Sequence, residues 1–340
     1  MSNTERPGVY TTYQVSASYA GTAGGGAVGL AASAEGGTAG KVAAITSYSG
    51  AVSAFGGGNL CELAKLLLRN GAGVVYAAAV ADGDYDTAFA ALMGVSDVKF
   101  MVCDSQSAEI HAKLQSAIAG GDEAGKYRIG VVESGKSTAA ELIALAESLN
   151  SERMVLVSHH ETEGVPGAVA AAVCGVMAGE SDPAVPLNGA ALTGLGAIGA
   201  NFSDGDVTLL VRGGVTPVET VGGGVSVVRG VTTRSRTGGV ADATWREVNT
   251  VLIIDQVIPS IRDGLRAAFS RSKNTAQTRG AIRTEVMIRL ESYVRAEIID
   301  SYDAITVEPD GEDPSVCLVS FGFTVAHGLN KISLAASITV

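Results

Sequence analysis

The chain has 340 residues, of which 44 are glycine; it is 46% hydrophobic but only 5% aromatic and 17% charged, with a formal net charge of -11. That balance excludes a disordered chain, which would pair low hydrophobicity with high charge, and the glycines follow no G-X-Y period, so a collagen is excluded too. An acidic chain lacks the basic surface that grips a nucleic-acid backbone, and the length suggests about two domains.

The first twenty residues read as an extended arm. Pro7-Gly8 interrupts any helix, and Val9, Tyr13 and Val15 then alternate with Thr12, Gln14 and Ser16. Residues 21–58 are small and plain, with short apolar runs at Ala27–Ala32 and Lys41–Ile45 expected as strands and glycine turns after each. No basic start followed by an apolar run marks a signal peptide, and the longest small-apolar stretch, Gly167 to Gly179, is too short to cross a bilayer.

From residue 59 to 180 helix and strand patterns alternate. Helices are expected at Leu60–Arg69, Asp84–Met93, Ser107–Ala119, Thr138–Leu149 and Ala168–Ala178, and strands at Val74–Val80, Lys99–Cys103, Tyr127–Val132 and Met154–Ser158. Strands apolar throughout, separated by helices, imply βαβ units and a parallel sheet covered on both faces. After a loop-rich stretch, Val207–Val211, Val215–Val221 and Val225–Thr233 read as antiparallel strands. The only tryptophan, Trp245, opens a second α+β region. There Val248–Ile254 and Val316–Val325 are expected as strands and Gln256–Phe269 and Ala281–Ile299 as helices. The end of the chain alternates cleanly again, with Ile332, Leu334, Ala336, Ile338 and Val340 on one face. The expected fold is therefore α/β, α+β overall. A parallel-type βαβ sheet domain with antiparallel strands spans 21–236, a C-terminal α+β domain spans 237–326, and β-arms occupy 1–20 and 327–340.

Several motifs resemble chemistry. Gly130-Val-Val-Glu-Ser-Gly135-Lys136-Ser137 matches the phosphate-binding pattern G-x-x-x-x-G-K-[ST] between an expected strand and helix. In such a loop backbone N–H groups cradle phosphates, Lys136 reaches the outer phosphate oxygens, Ser137 holds Mg²⁺, and Asp104 or Asp255 offers a further carboxylate. Against it, Gly130 falls inside the strand, and Val131-Val132 are β-branched where a phosphate nest wants permissive residues. The plain alternative is a crossover turn with Lys136 solvated. Matches to G-x-G-x-x-G at Gly24/Gly26/Gly29 and Gly194/Gly196/Gly199 lie outside any strand–helix junction. His159-His160-Glu161 lacks metal-ligand spacing. Cys61, Cys103, Cys174 and Cys317 form no close pair and read as reduced thiols. No catalytic residue, cofactor or metal is expected on the first reading, and a P-loop nucleotide-binding enzyme using Gly130–Ser137 is the alternative. A local charge reversal is more informative. Arg262, Arg266, Arg271, Lys273, Arg279 and Arg283 crowd one stretch in which Asp263 is the only acid, either a solvated helix face or a docking face for an acidic partner.

Taken together, Glu5-Arg6-Pro7-Gly8-Val9-Tyr10, the stretch Gly214-Val-Thr-Pro-Val218 with Gly224–Thr233, and Trp245–Asp255 continuing to Tyr302 and the final strands resemble the tail sheath proteins of contractile phage tails and related injection particles. The resemblance covers the two ends and the C-terminal half and is weak over 21–180. It implies a non-enzymatic structural subunit that forms hexameric rings in a helical sheath around an inner tail tube. Baseplate and tail terminator proteins are further partners, and there is no direct contact with nucleic acid or membrane. It implies assembly in the bacterial host cytoplasm, residence in the virion tail, and a contraction that drives the tube through the target envelope. Arms carrying Val9, Tyr10, Tyr13, Val15, Ile332, Leu334, Ile338 and Val340 would then add strands to neighbouring subunits. The cluster Arg262, Arg266, Arg271, Lys273, Arg279 and Arg283 becomes the candidate tube contact.

Overall fold

The structure, a computed structural model, describes residues 25–123, 126–330, 334 and 336. The expected N-terminal arm, with Val9, Tyr10, Tyr13 and Val15, and the positions Ile332, Ile338 and Val340 lie outside the described residues.

Strand β1 (Ala27–Ser33) is followed by β2 (Val42–Ile45), helices α1 (Tyr48–Phe55) and α2 (Asn59–Arg69), and β3 (Val74–Val80). The alternating run then gives α3 (Tyr85–Met93), β4 (Val98–Cys103), α4 (Ala108–Glu123), β5 (Ile129–Glu133), α5 (Ala139–Leu149), β6 (Met154–Val157) and α6 (Ala168–Gly179). Short pieces follow: β7 (Ala191–Leu192), α7 (Asp204–Arg212), β8 (Val215–Thr216), β9 (Val218–Val221), β10 (Gly224–Val227), β11 (Arg236–Thr237) and β12 (Val240–Ala241). The last region holds α8 (Val248–Phe269), α9 (Ala276–Arg295), β13 (Ile299–Tyr302), β14 (Thr306–Pro309), β15 (Cys317–Ser320) and β16 (Phe323–Val325).

The main sheet has the order β2-β3-β1-β4-β5-β6-β8 and is parallel except for β2. Alternation along each strand splits the core in two. Val28, Leu30, Phe100, Val102, Val131 and Val155 pack under α2 and α6. Ala31, Met101, Val132, Met154 and Leu156 pack under α3, α4, α5 and α7. The helix α6, AVAAAVCGVMAG, has ten of its twelve residues buried, as expected of a helix apolar on every side. Its small residues permit a close approach to α2: a Cβ on Gly175 would sit 2.8 Å from the Leu67 carbonyl oxygen. Arg128, almost wholly buried, closes the far end of α3 by donating to the carbonyls of Met93 and Val95.

In the C-terminal region α8 and α9 bury Val257, Ile261, Val286 and Leu290 against Ile298, Ile299 and Ile305. Two small antiparallel sheets, β13–β16 and β14–β15, complete it. Arg153, just before β6, forms a half-buried ion pair with Asp255 of α8, tying this region to the main sheet.

Four sequence expectations are corrected here. Val207–Val211 is helical: Ser203 caps α7 by accepting from the Asp206 N–H, and Asp204 and Asp206 favour its first turn. Val248–Ile254 is the start of α8, because Val248 and Val251 are buried in the main core while Ile253, Val257 and Ile261, four residues apart, bury a helical stripe in the C-terminal core, and tertiary packing overrides the β-branched run. Val316–Val325 is two strands in two sheets. They part at Gly322, where a Cβ would meet the Asp303 carboxylate at 2.6 Å. The strand expected over Val225–Thr233 ends at Val227, the extent of β10.

Candidate functional site

In doubly wound sheets ligands bind beyond the carboxyl ends of the strands, where outgoing connections diverge to opposite faces. Here that point lies between β1, whose chain runs through β2 and α1 to α2 on one face, and β4, whose chain leaves to α4 on the other. The chain's own side chains fill it. Asp104, 7% exposed at the end of β4, accepts from the Ser33 N–H (2.9 Å), the Ser33 hydroxyl (2.7 Å), the Asn59 amide (3.0 Å) and the Tyr85 hydroxyl (2.6 Å). Burial and Asp104 together hold the Tyr85 phenol far above its ordinary value.

One strand along, Glu133 ends β5 at 1% exposure. Its carboxylate accepts from the N–H groups of Gly167 (2.6 Å), Val169 (2.9 Å) and Ala170 (3.3 Å) and from the Gln106 amide (2.9 Å). The N-terminus of α6, the kind of place a phosphate would occupy in a nucleotide-binding protein, is thus taken by an internal acid. Burial raises the Glu133 carboxyl against the pull of these four donors. At the end of β6, Ser158 accepts from the Val218 N–H and pairs with His159 Nδ1 at 2.8 Å, while His159 Nε2 donates to the Ala200 carbonyl at 3.1 Å. Burial lowers the His159 imidazole and keeps it neutral.

The Gly130–Ser137 motif does join a strand to a helix, but it lacks the shape of a phosphate cradle. None of its residues has a left-handed backbone, so its N–H groups do not form a nest. Gly130 lies within β5, where a Cβ would crowd Met154 Sδ at 2.7 Å and Ile118 Cδ1 at 2.9 Å; this glycine serves packing. Lys136 is exposed and its Nζ lies 3.5 Å from Glu141. Its N–H is taken by the Ser134 hydroxyl, and Thr138 caps α5.

The remaining motifs are also structural in their placement. Gly24 lies outside the described residues; Gly26 lies just before β1 and Gly29 within it. Gly194 and Gly199 have positive φ in the loop before α7. Glu161 accepts from the Gly196 N–H, and among the described residues no group of three or more His, Cys, Asp or Glu side chains could hold a metal ion. Cys61, Cys103 and Cys174 are buried free thiols and Cys317 is half-buried; burial pushes Cys103 up to about 12. No helix among the described residues is long and apolar enough to cross a membrane.

The basic stretch is divided by its elements. Arg266, Arg271 and Lys273 are exposed along the end of α8 and the turn that follows. Arg279 and Arg283 lie one turn apart on α9 and line an open groove beside β14. Arg262 turns the other way, its guanidinium 5.7 Å from the centre of the Tyr127 ring, against which Arg153 also stacks at 5.2 Å. Leu334, one of the described arm positions, is 92% exposed. Among the described residues each strand of the β13–β16 and β14–β15 sheets pairs along one edge only. Sequence reasoning missed Glu133 and Ser158 as structural plugs and considered Asp104 only as a metal ligand. The signal available was a polar residue ending each apolar strand: MVCD, GVVE and VLVS.

These features define a class: a doubly wound α/β domain with its ligand edge closed by its own side chains, joined to an α+β domain whose strand edges are open. Comparison with known proteins makes the identification particular. Residues 78–233 match the family model of the phage tail sheath protein central domain, and residues 240–339 match that of the phage tail sheath C-terminal domain. The chain belongs to the phage tail sheath family, whose members are structural subunits of contractile tails and related injection systems. Among solved structures it is similar to a chain of the anti-feeding prophage baseplate (TM-score 0.77, 16% identity, covering 99% of this chain and 100% of that one). It is also similar to the anti-feeding prophage helical sheath in its contracted state (TM-score 0.72, 17% identity, 98% and 99% covered). A third similar structure is a sheath tail protein of Desulfitobacterium hafniense (TM-score 0.69, 11% identity, 94% and 100% covered). No curated protein sequence matches the chain. At these identities the structural likeness establishes the fold, mixed α/β with a mostly parallel central sheet, as expected from the sequence.

Proposed function

We propose that the chain polymerises as hexameric rings stacked in a helical sheath around an inner tail tube, and that the sheath contracts to drive the tube through a target envelope. The observation that carries this reading is the succession of the two sheath family matches along one chain. The fold's likeness to a sheath solved in the contracted state agrees with it. The role is mechanical rather than catalytic, in line with a carboxyl edge occupied by Asp104 and Glu133. In this reading 21–236 and 237–326 move as bodies, while 1–20 and 327–340 are tethers that pair in trans with a neighbour. The open edges of β13, β14, β15 and β16 are the kind of surface that accepts an added strand. Arg262, Arg266, Arg271, Lys273, Arg279 and Arg283 face the tube, Arg262 from beside the Tyr127 ring. Baseplate and terminator proteins bind the ends of the polymer, and the particle assembles in the host cytoplasm.

Electron microscopy of the purified full chain, with and without its tube protein, tests the reading. Tubes of two diameters and lengths are expected. Deletion of residues 1–16 or 328–340 should leave a folded subunit that does not polymerise. Closed shells, or normal tubes from either deletion, would overturn it.

A further inference from the structure

A cleft of about 680 Å³ separates the amino edge of the main sheet from α8. Phe100, Ile129 and Leu252 give it an apolar floor, but five acids and three bases line it as well. Of these eight charges, among the described residues, Asp255 alone forms an ion pair, with Arg153. The charges on the two walls therefore do not hold the cleft to one width.

Helix α8 spans the cleft with two faces. Ile253, Val257 and Ile261 are buried in the C-terminal core, while Leu252, Asp255, Pro259 and Arg262 line the cleft. At its root α8 belongs to the main body: Val248 and Val251 are buried in the main core, and Asn249, 6% exposed, donates to the carbonyls of Pro183 (2.8 Å) and Val185 (2.5 Å). The loop that carries those carbonyls makes the neighbouring attachments, Ala184 against the C-terminal core and the Asn188 amide to Asn330. Further along α8 the attachment is of another kind. Arg153 and Arg262 both stack on the Tyr127 ring, at 5.2 and 5.7 Å, and Arg153 also pairs with Asp255. One ring thus gathers two positions of α8 that lie two turns apart, Arg262 directly and Asp255 through Arg153.

We infer that this Tyr127 clamp is a latch. Closed, as in this structure, it fixes the C-terminal region to the main sheet; released, it lets α8 swing about its buried root and changes the width of the cleft. The two attachments differ in what opening them costs. Parting the root exposes apolar side chains and leaves buried carbonyls without their donor. Parting the clamp returns an exposed guanidinium and a half-buried ion pair to water, which solvates both. The clamp therefore yields first, and the C-terminal core travels with α8 because Ile253, Val257 and Ile261 are part of it. Root, cleft and clamp supply the pivot, the room and the catch of a hinged body. The inference concerns the single chain and does not rest on the sheath reading.

The test uses the full chain at a concentration where it is monomeric. Spin labels at Lys99→Cys and Arg266→Cys, in a Cys317→Ser background, place one probe on each side of the cleft. Arg266 lies about 22 Å along α8 from Val251, so a swing of about 10° moves its label by ~4 Å. The parent and Tyr127→Phe, which keeps the ring, should give one narrow distance distribution. Tyr127→Leu removes the ring on which both guanidiniums rest; Asp255→Asn with Arg262→Gln removes both partners on α8 and leaves the ring in place. Each should broaden the distribution and shift it by about that amount, with a circular dichroism spectrum like the parent's. The second variant carries the test if Tyr127→Leu does not fold. In the Tyr127→Leu background, Arg262→Gln should add nothing, because the two residues act as one contact. An unchanged distribution in either release variant, or a distribution already broad in the parent or in Tyr127→Phe, overturns the inference. Additive broadening by Tyr127→Leu and Arg262→Gln also overturns it.

Discussion

Replacing Asp104 separates a structural plug from a ligand-binding carboxylate. Its Oδ2 accepts from the Ser33 N–H, the Ser33 hydroxyl and the Asn59 amide, and its Oδ1 accepts from the Tyr85 hydroxyl alone. In Asp104→Asn the new amide can take the Oδ1 place and donate to Tyr85, whose hydroxyl accepts as readily as it donates. All four contacts survive and only the charge assistance is lost, about 1 kcal/mol. In Asp104→Ala the Ser33 N–H, the Asn59 amide and the Tyr85 hydroxyl lose their acceptor at a site that is 7% exposed. Each orphaned donor costs about 1–3 kcal/mol, and the Ser33 hydroxyl can rotate to another partner, so the sum is roughly 4 kcal/mol. At about 2–4 °C per kcal/mol for a domain of this size, thermal unfolding should fall by ~10 °C in the alanine variant and by only a few degrees in the asparagine variant. Calorimetry or circular dichroism at pH 7 reads the difference. Equal losses in the two variants, or an alanine variant within 1 °C of the parent, would refute the argument.

Two further predictions follow from the same geometry. In the apparent phosphate-binding motif the glycine should matter more than the lysine. Gly130→Val, whose side chain would press on Met154, Ile118 and Leu114, should cost about 3 kcal/mol by overpacking, while Lys136→Ala should change the urea midpoint negligibly because its ion pair with Glu141 is exposed. The second concerns acid. His111 and His159 are held neutral by burial, their folded pKa values below the ordinary 6.5. Their contribution to stability is therefore complete above pH 6.5 and is lost as pH falls toward the lowered values. Unfolding of His159→Gln, compared between pH 7.5 and pH 5, should show a smaller acid-induced loss than the parent; an identical loss would remove His159 from that account.

Most of the central domain was legible because its signals are local. Apolar runs bounded by Asn70-Gly71 and Asp82-Gly83 fix the strands and helices from 59 to 180, and nearly every expected element there has a counterpart within a few residues. Legibility failed where a short apolar run obeys either period. Val207–Val211 and Val248–Ile254 are β-branched, but a serine cap and a buried helical stripe decide them, and the second depends on partners far away in sequence. Glycine shows the same division. Its abundance announced turns, and it also generated the phosphate- and dinucleotide-type patterns. Only the tertiary structure shows that Gly130 and Gly175 make room for neighbours, because a close approach is a property of two elements at once.

By itself, then, the sequence determined the α/β class, the alternation that builds a parallel sheet, and the local charge reversal after Asp255. The tertiary structure decided that Asp104, Glu133 and Ser158, each merely a polar residue at the end of an apolar strand, converge on one edge and close it. It also decided that Arg262 stacks against Tyr127 while Arg279 and Arg283 line a separate groove beside β14. The reason is physical. Periodicity reports which face of an element is apolar, but the partners of a polar side chain are set by segments separated by tens of residues, and these meet only once the sheet is assembled.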